Sequence, residues 1–588
     1  MSPFYKKIFF YFFIIVAVLI SLIAFPDDLI QWPINLPKRL SATLGEIRGL
    51  RFHQGIDIKT RGRVGYPVFA ALPGKLSRLI SKDRGYGNAL FIDHNDGISS
   101  VYGHLDSFDD EKYGLNTLKE TLKILYNKDN ISFTLYTSNL LYRRGERIGY
   151  SGESGSGPPH LHFEVRDGDT FFNPLEFIAI NDKKPPVIEN LYLCVEKHNS
   201  TIREEKIHVR KSWGRYRLTK DPIEIRVNNL ERIFLKLACY DMVEAQNRVA
   251  IYMIRLFDNG EMIFEMSFDK LKKNDFKYGH LIYDKSRSTI NGGVSYAYFL
   301  CSRYGNNFSC IKNINDGYIN LDIKQSNIRI EVIDFAGNIS TLKFHLRRDI
   351  IEEEVPGNYM DIKKGKGYTI FNDNGDVKVT IGPQSISHDM LLQLKHPIQP
   401  RLIKKIARSV SLNRDDILNV ILISPFDNIY EKPIKLVFRR PPQIPKSWVK
   451  NILVYQFFNE NRLKPLLTVY DTEMDVFEAS SITNGFFALV MDKIPPEIFL
   501  PPTHEFCEDK DFYRKIRLYT SENLSKIDVD SIKCIIDGEL FPFYFDRDRK
   551  WIEVVLPRDV VSEGVHHILV KCSDLSDNQT VFRNLLMF

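Results

Sequence analysis

At 588 residues and 68.4 kDa the chain is too long for a single hydrophobic core, and roughly three to five domains are expected. A composition that is 44% hydrophobic and 12% aromatic excludes a disordered chain. The 80 basic and 74 acidic residues leave a net charge of only +6, and no basic run is interleaved with aromatics, so nothing argues for nucleic acid as a partner.

The first element is apolar. Lys6 and Lys7 precede an uninterrupted run from Ile8 to Phe25, closed by Pro26-Asp27-Asp28. As a helix this run spans roughly 27 Å, close to the hydrocarbon thickness of a bilayer. Residues 1–27 are therefore expected to form an N-terminal membrane anchor or signal segment, and the lysines on its near side predict export of the rest of the chain. The length of the run and the poor match of Leu22 and Ala24 to a cleavage site favour an uncleaved anchor and leave a cleaved signal open. No cysteine follows it, so lipoprotein attachment is not expected.

Residues 28–180 read as an antiparallel β-domain. Short β-runs (PVFAALPGKLSRLI, NALFIDHNDGISSVYGHL, RIGYSGESGSG and HLHFEVRDG) are separated by glycine and Asn-Asp-Gly turns. A polar, partly helical excursion at about 106–142 interrupts them and is expected to be an insertion at the rim of the sheet. Beyond it the chain repeats itself. Asp182-Lys183-Lys184-Pro185-Pro186 returns as Asp492-Lys493-Ile494-Pro495-Pro496, and Asp334-Phe335-Ala336-Gly337-Asn338 as Asp574-Leu575-Ser576-Asp577-Asn578. A stiff linker opening a β-region and a turn before its last strand predict two immunoglobulin-like β-sandwiches of one lineage, at 181–350 with an insertion and at 492–588. Residues 351–491, with turns at Asp373-Asn374-Gly375-Asp376 and Asn484-Gly485, are expected to be another β-rich domain. The expected fold class is all-β.

Chemistry is concentrated before residue 180. His53 and Asp57 come from FHQGID, His104 from VYGHL, and His160 and His162 from PPHLHFE. A His-x-His on a strand puts both rings on one face. His53 and Asp57 reach one ion if Gln54-Gly55-Ile56 turns sharply, which Gly55 favours. With His162 as third ligand, zinc keeps an open position for water, whose pKa falls to roughly 7. His160, one pleat away, can take a proton and return it to a leaving amine, and His104 can donate to a developing oxyanion. The reaction class is metal-assisted hydrolysis of an acyl bond. Seven cysteines lie outside this region without a C-x-x-C pair, so the ligands are nitrogen and oxygen, and most thiols are expected to be buried and free. His94 flanks a hairpin turn and is read as structural.

The ordered set FHQGID, YGN, IDHNDG, VYGHL, GERIGYSGESG and PPHLHFEVR resembles the lysostaphin/LytM-type zinc metallopeptidases, the murein endopeptidases of bacterial envelopes, over about residues 36–180. The resemblance implies a small two-sheet β-fold with an open groove, Zn2+ held by His53, Asp57 and His162, and His160 with His104 as the catalytic pair. It implies peptidoglycan as partner and substrate, cut in its crosslinks or stem peptides, on the periplasmic side of the envelope. The N-terminal segment would then sit in the cytoplasmic membrane or be removed, and the β-modules would hold the catalytic domain away from the membrane or dock on wall or an envelope protein. A few relatives have lost ligands and only activate other hydrolases, which gives the alternative of a non-catalytic adaptor or activator. This chain keeps all five positions. It departs from the family in the segment SGESGSGPPH, one residue short and with Pro158-Pro159 where Gly-Pro is usual, and in the length of the insertion, which could lid the groove.

Overall fold

The computed structural model describes residues 30–588 apart from short internal stretches, the longest at 396–412, and the final residue. The expected anchor or signal segment lies outside the described residues. Among those described, no helix is long and apolar enough to cross a membrane.

Alternating apolar residues and glycine turns produce strands β1 (Leu40–Ala42), β2 (Ile47–Arg48), β3 (Arg51–Phe52), β4 (Ile56–Lys59), β5 (Pro67–Phe69), β6 (Gly74–Ser81), β7 (Asn88–Asp93), β8 (Ile98–Phe108), β9 (Ile131–Thr134), β10 (Leu141–Tyr142), β11 (Arg147–Ser151), β12 (His160–Asp167) and β13 (Thr170–Phe172). All but the β2–β3 hairpin connect into one antiparallel sheet along β1-β4-β12-β8-β7-β6-β10, with β11 joining β8 to β5. Leu161, Phe163 and Val165 of β12 enter the core beside Tyr102 and Ile56, which sends the alternate residues His160, His162 and Glu164 to the opposite face.

The 106–142 segment forms helices α1 (Asp110–Tyr113) and α2 (Leu115–Tyr126), then β9 and β10. Leu115 and Leu122 anchor α2 in the core, and β9 and β10 both pair with β6. The segment thus lies at the β6 end of the sheet. Along the sheet β7 separates β6 from β8, and β12 and β4 lie farther still. No hydrogen bond, ion pair or ring contact among the described residues links the insertion to the histidines.

An eleven-stranded sheet runs from Val187 to Ile350, including a parallel pairing of Ile223–Val227 with Leu346–Ile350. Six- and five-stranded sheets face each other over Ile362, Leu392, Ile421, Leu436, Phe438 and Phe477, and five- and four-stranded sheets over Leu518, Cys534, Val554 and Val570. The first two regions interlock. Leu44, Phe52 and Phe171 belong to the core of the second, Val243 and Val249 to that of the first, and strand Lys270–Lys272 joins the first sheet beside β13. Six described cysteines are buried, and none of these six forms a disulfide.

Candidate functional site

Strand register assembles the site. On β12, His162 stands opposite Asp57 of β4 on one side and Gly103 of β8 on the other. A Cβ on Gly103 would lie 3.3–3.4 Å from the His162 side chain, so glycine there gives the imidazole its room. Gly55 is required for space rather than for a turn: its Cβ would sit 2.2 Å from the Phe163 carbonyl oxygen. His104 follows Gly103 with a left-handed backbone, φ 58°, and its amide donates to Tyr86 O.

Three donor atoms converge. His53 Nε2 lies 3.1 Å from both Asp57 Oδ1 and His162 Nδ1, and His162 Nδ1 lies 2.9 Å from Asp57 Oδ1. Ligands around a tetrahedral zinc at 2.0–2.1 Å are about 3.3 Å apart, so these atoms need to spread by only a few tenths of an ångström to hold one. His160 Nε2 is 3.6 Å from the same carboxylate oxygen, and the His104 and His160 rings are 4.6 Å apart between centroids. The structure thus gathers His53, Asp57, His104, His160 and His162 at one point. His94 is elsewhere, bonded to Pro73 O and Ser100 Oγ.

Each ring has its other nitrogen tied to an oxygen. Nδ1 of His53 donates to Thr43 O, of His104 to Ser154 O and of His160 to Pro158 O, at 2.9, 2.7 and 2.7 Å. His162 Nε2 is 2.9 Å from Glu164 Oε1, and that carboxylate also accepts from Tyr86 OH at 2.7 Å. These bonds fix the tautomers and orient the free nitrogens. Glu164 escaped the sequence reading although it lies two residues past His162 on the same face, a signal the two-residue period of a strand carries. Tyr86 and the carbonyls of Thr43, Ser154 and Pro158 had no such signal.

Burial and neighbouring charge set the proton affinities. Burial pushes Asp57 up, but His53 and hydrogen bonds from His162 and His53 outweigh it and hold the carboxyl well below its usual range. Burial also opposes charge on His162, yet hydrogen bonds to Asp57 and Glu164 raise it to about 9. Burial, with His160 and His162 nearby, pushes His104 down to about 3, and burial lowers His53. Arg48 Nη2 reaches the other Asp57 oxygen at 3.0 Å. Two imidazole nitrogens and a carboxylate form a borderline-soft donor set that fits zinc, whose binding would displace the proton held on His162.

The sequence model described as Peptidase family M23 matches residues 51–115. The murein hydrolase activator NlpD of Escherichia coli (strain K12) is 26% identical over 148 residues, which cover 25% of this chain and 31% of that protein. The DD-carboxypeptidase/endopeptidase Mpg of Neisseria meningitidis serogroup B is 30% identical over 126 residues, 21% of this chain and 22% of that one. The match thus spans about a third or less of these curated relatives. Among solved structures, the catalytic domain of the prophage-encoded M23 protein EnpA from Enterococcus faecalis is 25% identical over 24% of this chain and 94% of that chain, with a TM-score of 0.18.

Proposed function

Taking residues 51–115 as a LytM-type domain of peptidase family M23, we propose that this chain is a zinc-dependent endopeptidase that hydrolyses peptide bonds in peptidoglycan crosslinks or stem peptides. The observation that supports it is the orientation of all four histidines. Each has one nitrogen fixed by an oxygen; the other nitrogens of His162, His53 and His160 lie 2.9, 3.1 and 3.6 Å from Asp57 Oδ1, and the His104 ring stands beside those of His160 and His162. His94, by contrast, bonds Pro73 O and Ser100 Oγ and does not face Asp57.

His53, Asp57 and His162 would hold the ion, which when bound supplies a Lewis acid and lowers the pKa of water at its open position. His160 and His104 do the proton work. With Nδ1–H given to Pro158 O, neutral His160 offers a lone pair at Nε2 and accepts the proton of the attacking water. His104, tied the same way through Ser154 O, is also an acceptor while neutral, and burial keeps it so at working pH. The pair therefore holds one proton between its two rings. It stabilises an oxyanion only after taking that proton, and then passes it to the leaving amine. In this reading His104 donates to the developing oxyanion, as expected of it from sequence, only once the pair has taken that proton.

In this reading the working site is the bacterial envelope, on its periplasmic side, with the peptidase domain at 28–180 followed by modules at 181–350, 351–491 and 492–588. The likeness to a protein named as an activator supports a second reading, a non-catalytic adaptor that binds wall or another hydrolase. One experiment separates them: residues 28–588 loaded with zinc are incubated with sacculi beside His160→Ala, and released fragments are identified by mass spectrometry. New peptide ends from the wild type alone support the endopeptidase. Bound zinc without release, or no bound zinc, overturns it in favour of the adaptor.

A further inference from the structure

The two Asp-Lys-x-Pro-Pro phrases do more than mark boundaries. Each opens with an aspartate that meets two further carboxylates: Asp182 meets Asp241 and Asp334, and Asp492 meets Glu522 and Asp574. In each set, one oxygen per residue lies within 4.8 Å of the others. The sets occupy equivalent places. Asp241 directly follows Arg232–Tyr240, which pairs through Tyr240 with Val187, five residues after Asp182. Glu522 directly follows Tyr513–Ser521, which pairs through Ser521 with Glu497, five residues after Asp492.

The surrounding hydrogen bonds repeat as well. Oδ1 of Asp182 accepts from Lys184 N, and Oδ1 of Asp492 from Ile494 N. Asn338 donates its amide and Nδ2 to Asp334 and also reaches Asp182 O, while Asn578 does the same for Asp574 and Asp492 O.

These bonds leave acceptors over. Asp241 is 3% exposed and its Oδ1 has no hydrogen-bond partner. The same holds for Asp182 Oδ2 and, in the second set, for Oδ2 of the fully buried Asp492. Lys493, next to Asp492, turns instead to Asp416. The charges acting on Asp241, those of Asp334 and Asp182, are both negative. A buried carboxylate without a counter-charge is strongly unfavourable, and two such clusters built to one plan need a common explanation.

We infer that Asp182, Asp241 and Asp334, and equally Asp492, Glu522 and Asp574, form a matched pair of calcium-type divalent-cation sites at the roots of the two repeated β-modules. Calcium takes oxygen ligands at 2.3–2.6 Å, so oxygens on one ion lie at most about 5 Å apart, a bound that the three oxygens of each set meet. An all-oxygen set without His or Cys selects a hard cation over zinc. The sites lie at junctions. Phe335, beside Asp334, packs on the first region's core, and Asn451 of the preceding region donates to Ser576 O beside Asp574. An ion at each root would stiffen the module against the region before it. The inference is independent of the peptidase reading.

The test is calcium binding to the chelator-stripped 28–588 protein, followed by calorimetric titration and by thermal melting. The wild type should take up two equivalents, with Kd of about 10−4 to 10−3 M, and melt higher with calcium. Asp241→Asn and Asp492→Asn should each retain one equivalent, and the double variant none, while His53→Ala retains two. Under chelation the Asn variants should melt no lower than the wild type, because each removes an uncompensated buried charge. No uptake by the wild type at about ten times the upper Kd would overturn the inference, and that arm needs no variant to fold. Equal uptake, or an equal calcium-induced rise, in wild type and variants would also overturn it.

Discussion

His53 and His160 face the same point but are held by different parts of the chain. His160 and His104 are oriented by the loop just before β12, through the carbonyls of Pro158 and Ser154. That loop is fastened locally, Ser154 Oγ donating to Leu105 O and accepting from Asn88 N. His53 is oriented by Thr43 O, and the Thr43–Glu46 turn is gripped from outside the catalytic sheet. Tyr283 OH donates to Gly45 O, Thr43 Oγ1 to Ala250 O, and a Cβ on Gly45 would overlap the Phe268 ring at 2.2 Å. In the proposed reading the proton-transfer pair is thus held locally, whereas one of the three proposed metal ligands, His53, leans on the next region. That region therefore holds the turn whose Thr43 carbonyl meets His53.

The largest effects should separate the two halves cleanly. His162→Ala removes a ligand and should abolish both zinc binding, read by elemental analysis, and sacculus cleavage. His160→Ala should retain a full equivalent of zinc and lose about 10²- to 10⁴-fold in rate, the usual contribution of a general acid–base group. If His160→Ala also loses its zinc, the division between halves is wrong. Glu164→Gln comes next. It leaves Tyr86 and His162 in place but takes the charge from the carboxylate behind His162 Nε2, and should weaken zinc affinity by about 10- to 100-fold while kcat at saturating zinc stays near wild type.

Legibility in the sequence divides along the same line. The β class could be read, and the five residues proposed for the site could be picked out, because both rest on local signals: strand period, glycine turns, clustered histidines. Glu164 was legible in principle from its place on the face of His162. The grip of Tyr283 and Phe268 on Gly45 was not, because it joins residues more than two hundred positions apart and a tyrosine in an ordinary β-run has no distinguishing neighbour. The acidic clusters were half visible. The repeated phrases show Asp182, Asp334, Asp492 and Asp574, whereas Asp241 and Glu522 are supplied only by strand pairing.

Glu46 adds a pH-dependent arm on the metal side. Its carboxyl is buried in the turn that holds His53, and burial outweighs Arg48 to raise it from 4.5 to about 7. A carboxyl raised on folding supports the folded state fully below its unfolded value and loses that support as pH rises toward the folded one. Wild-type stability should therefore fall between about pH 4.5 and 7, by up to roughly 3 kcal/mol. Glu46→Gln should flatten that fall, with little change in melting temperature near pH 4. An identical pH profile in the two proteins would mean that Glu46 keeps an ordinary carboxyl.

The smallest changes give the sharpest form of the comparison. Tyr283→Phe removes only the hydroxyl donated to Gly45 O, at about 1 kcal/mol for one buried hydrogen bond. Because that turn presents Thr43 O to His53, the loss should appear as weaker zinc binding, with kcat unchanged once zinc saturates. Ser154→Ala removes only the hydroxyl that fastens the other loop. Because that loop aims His104 through its own carbonyl, the loss should appear in kcat, by less than the roughly 100-fold of a full ångström's misplacement, with zinc affinity unchanged. Zinc titration and saturating-zinc kinetics on both variants give four numbers, and only crossed effects fit a site supported from two sides. Were both variants to shift zinc affinity and kcat together, the two supports would act as one unit, and the second region's contact with Gly45 would be ordinary packing.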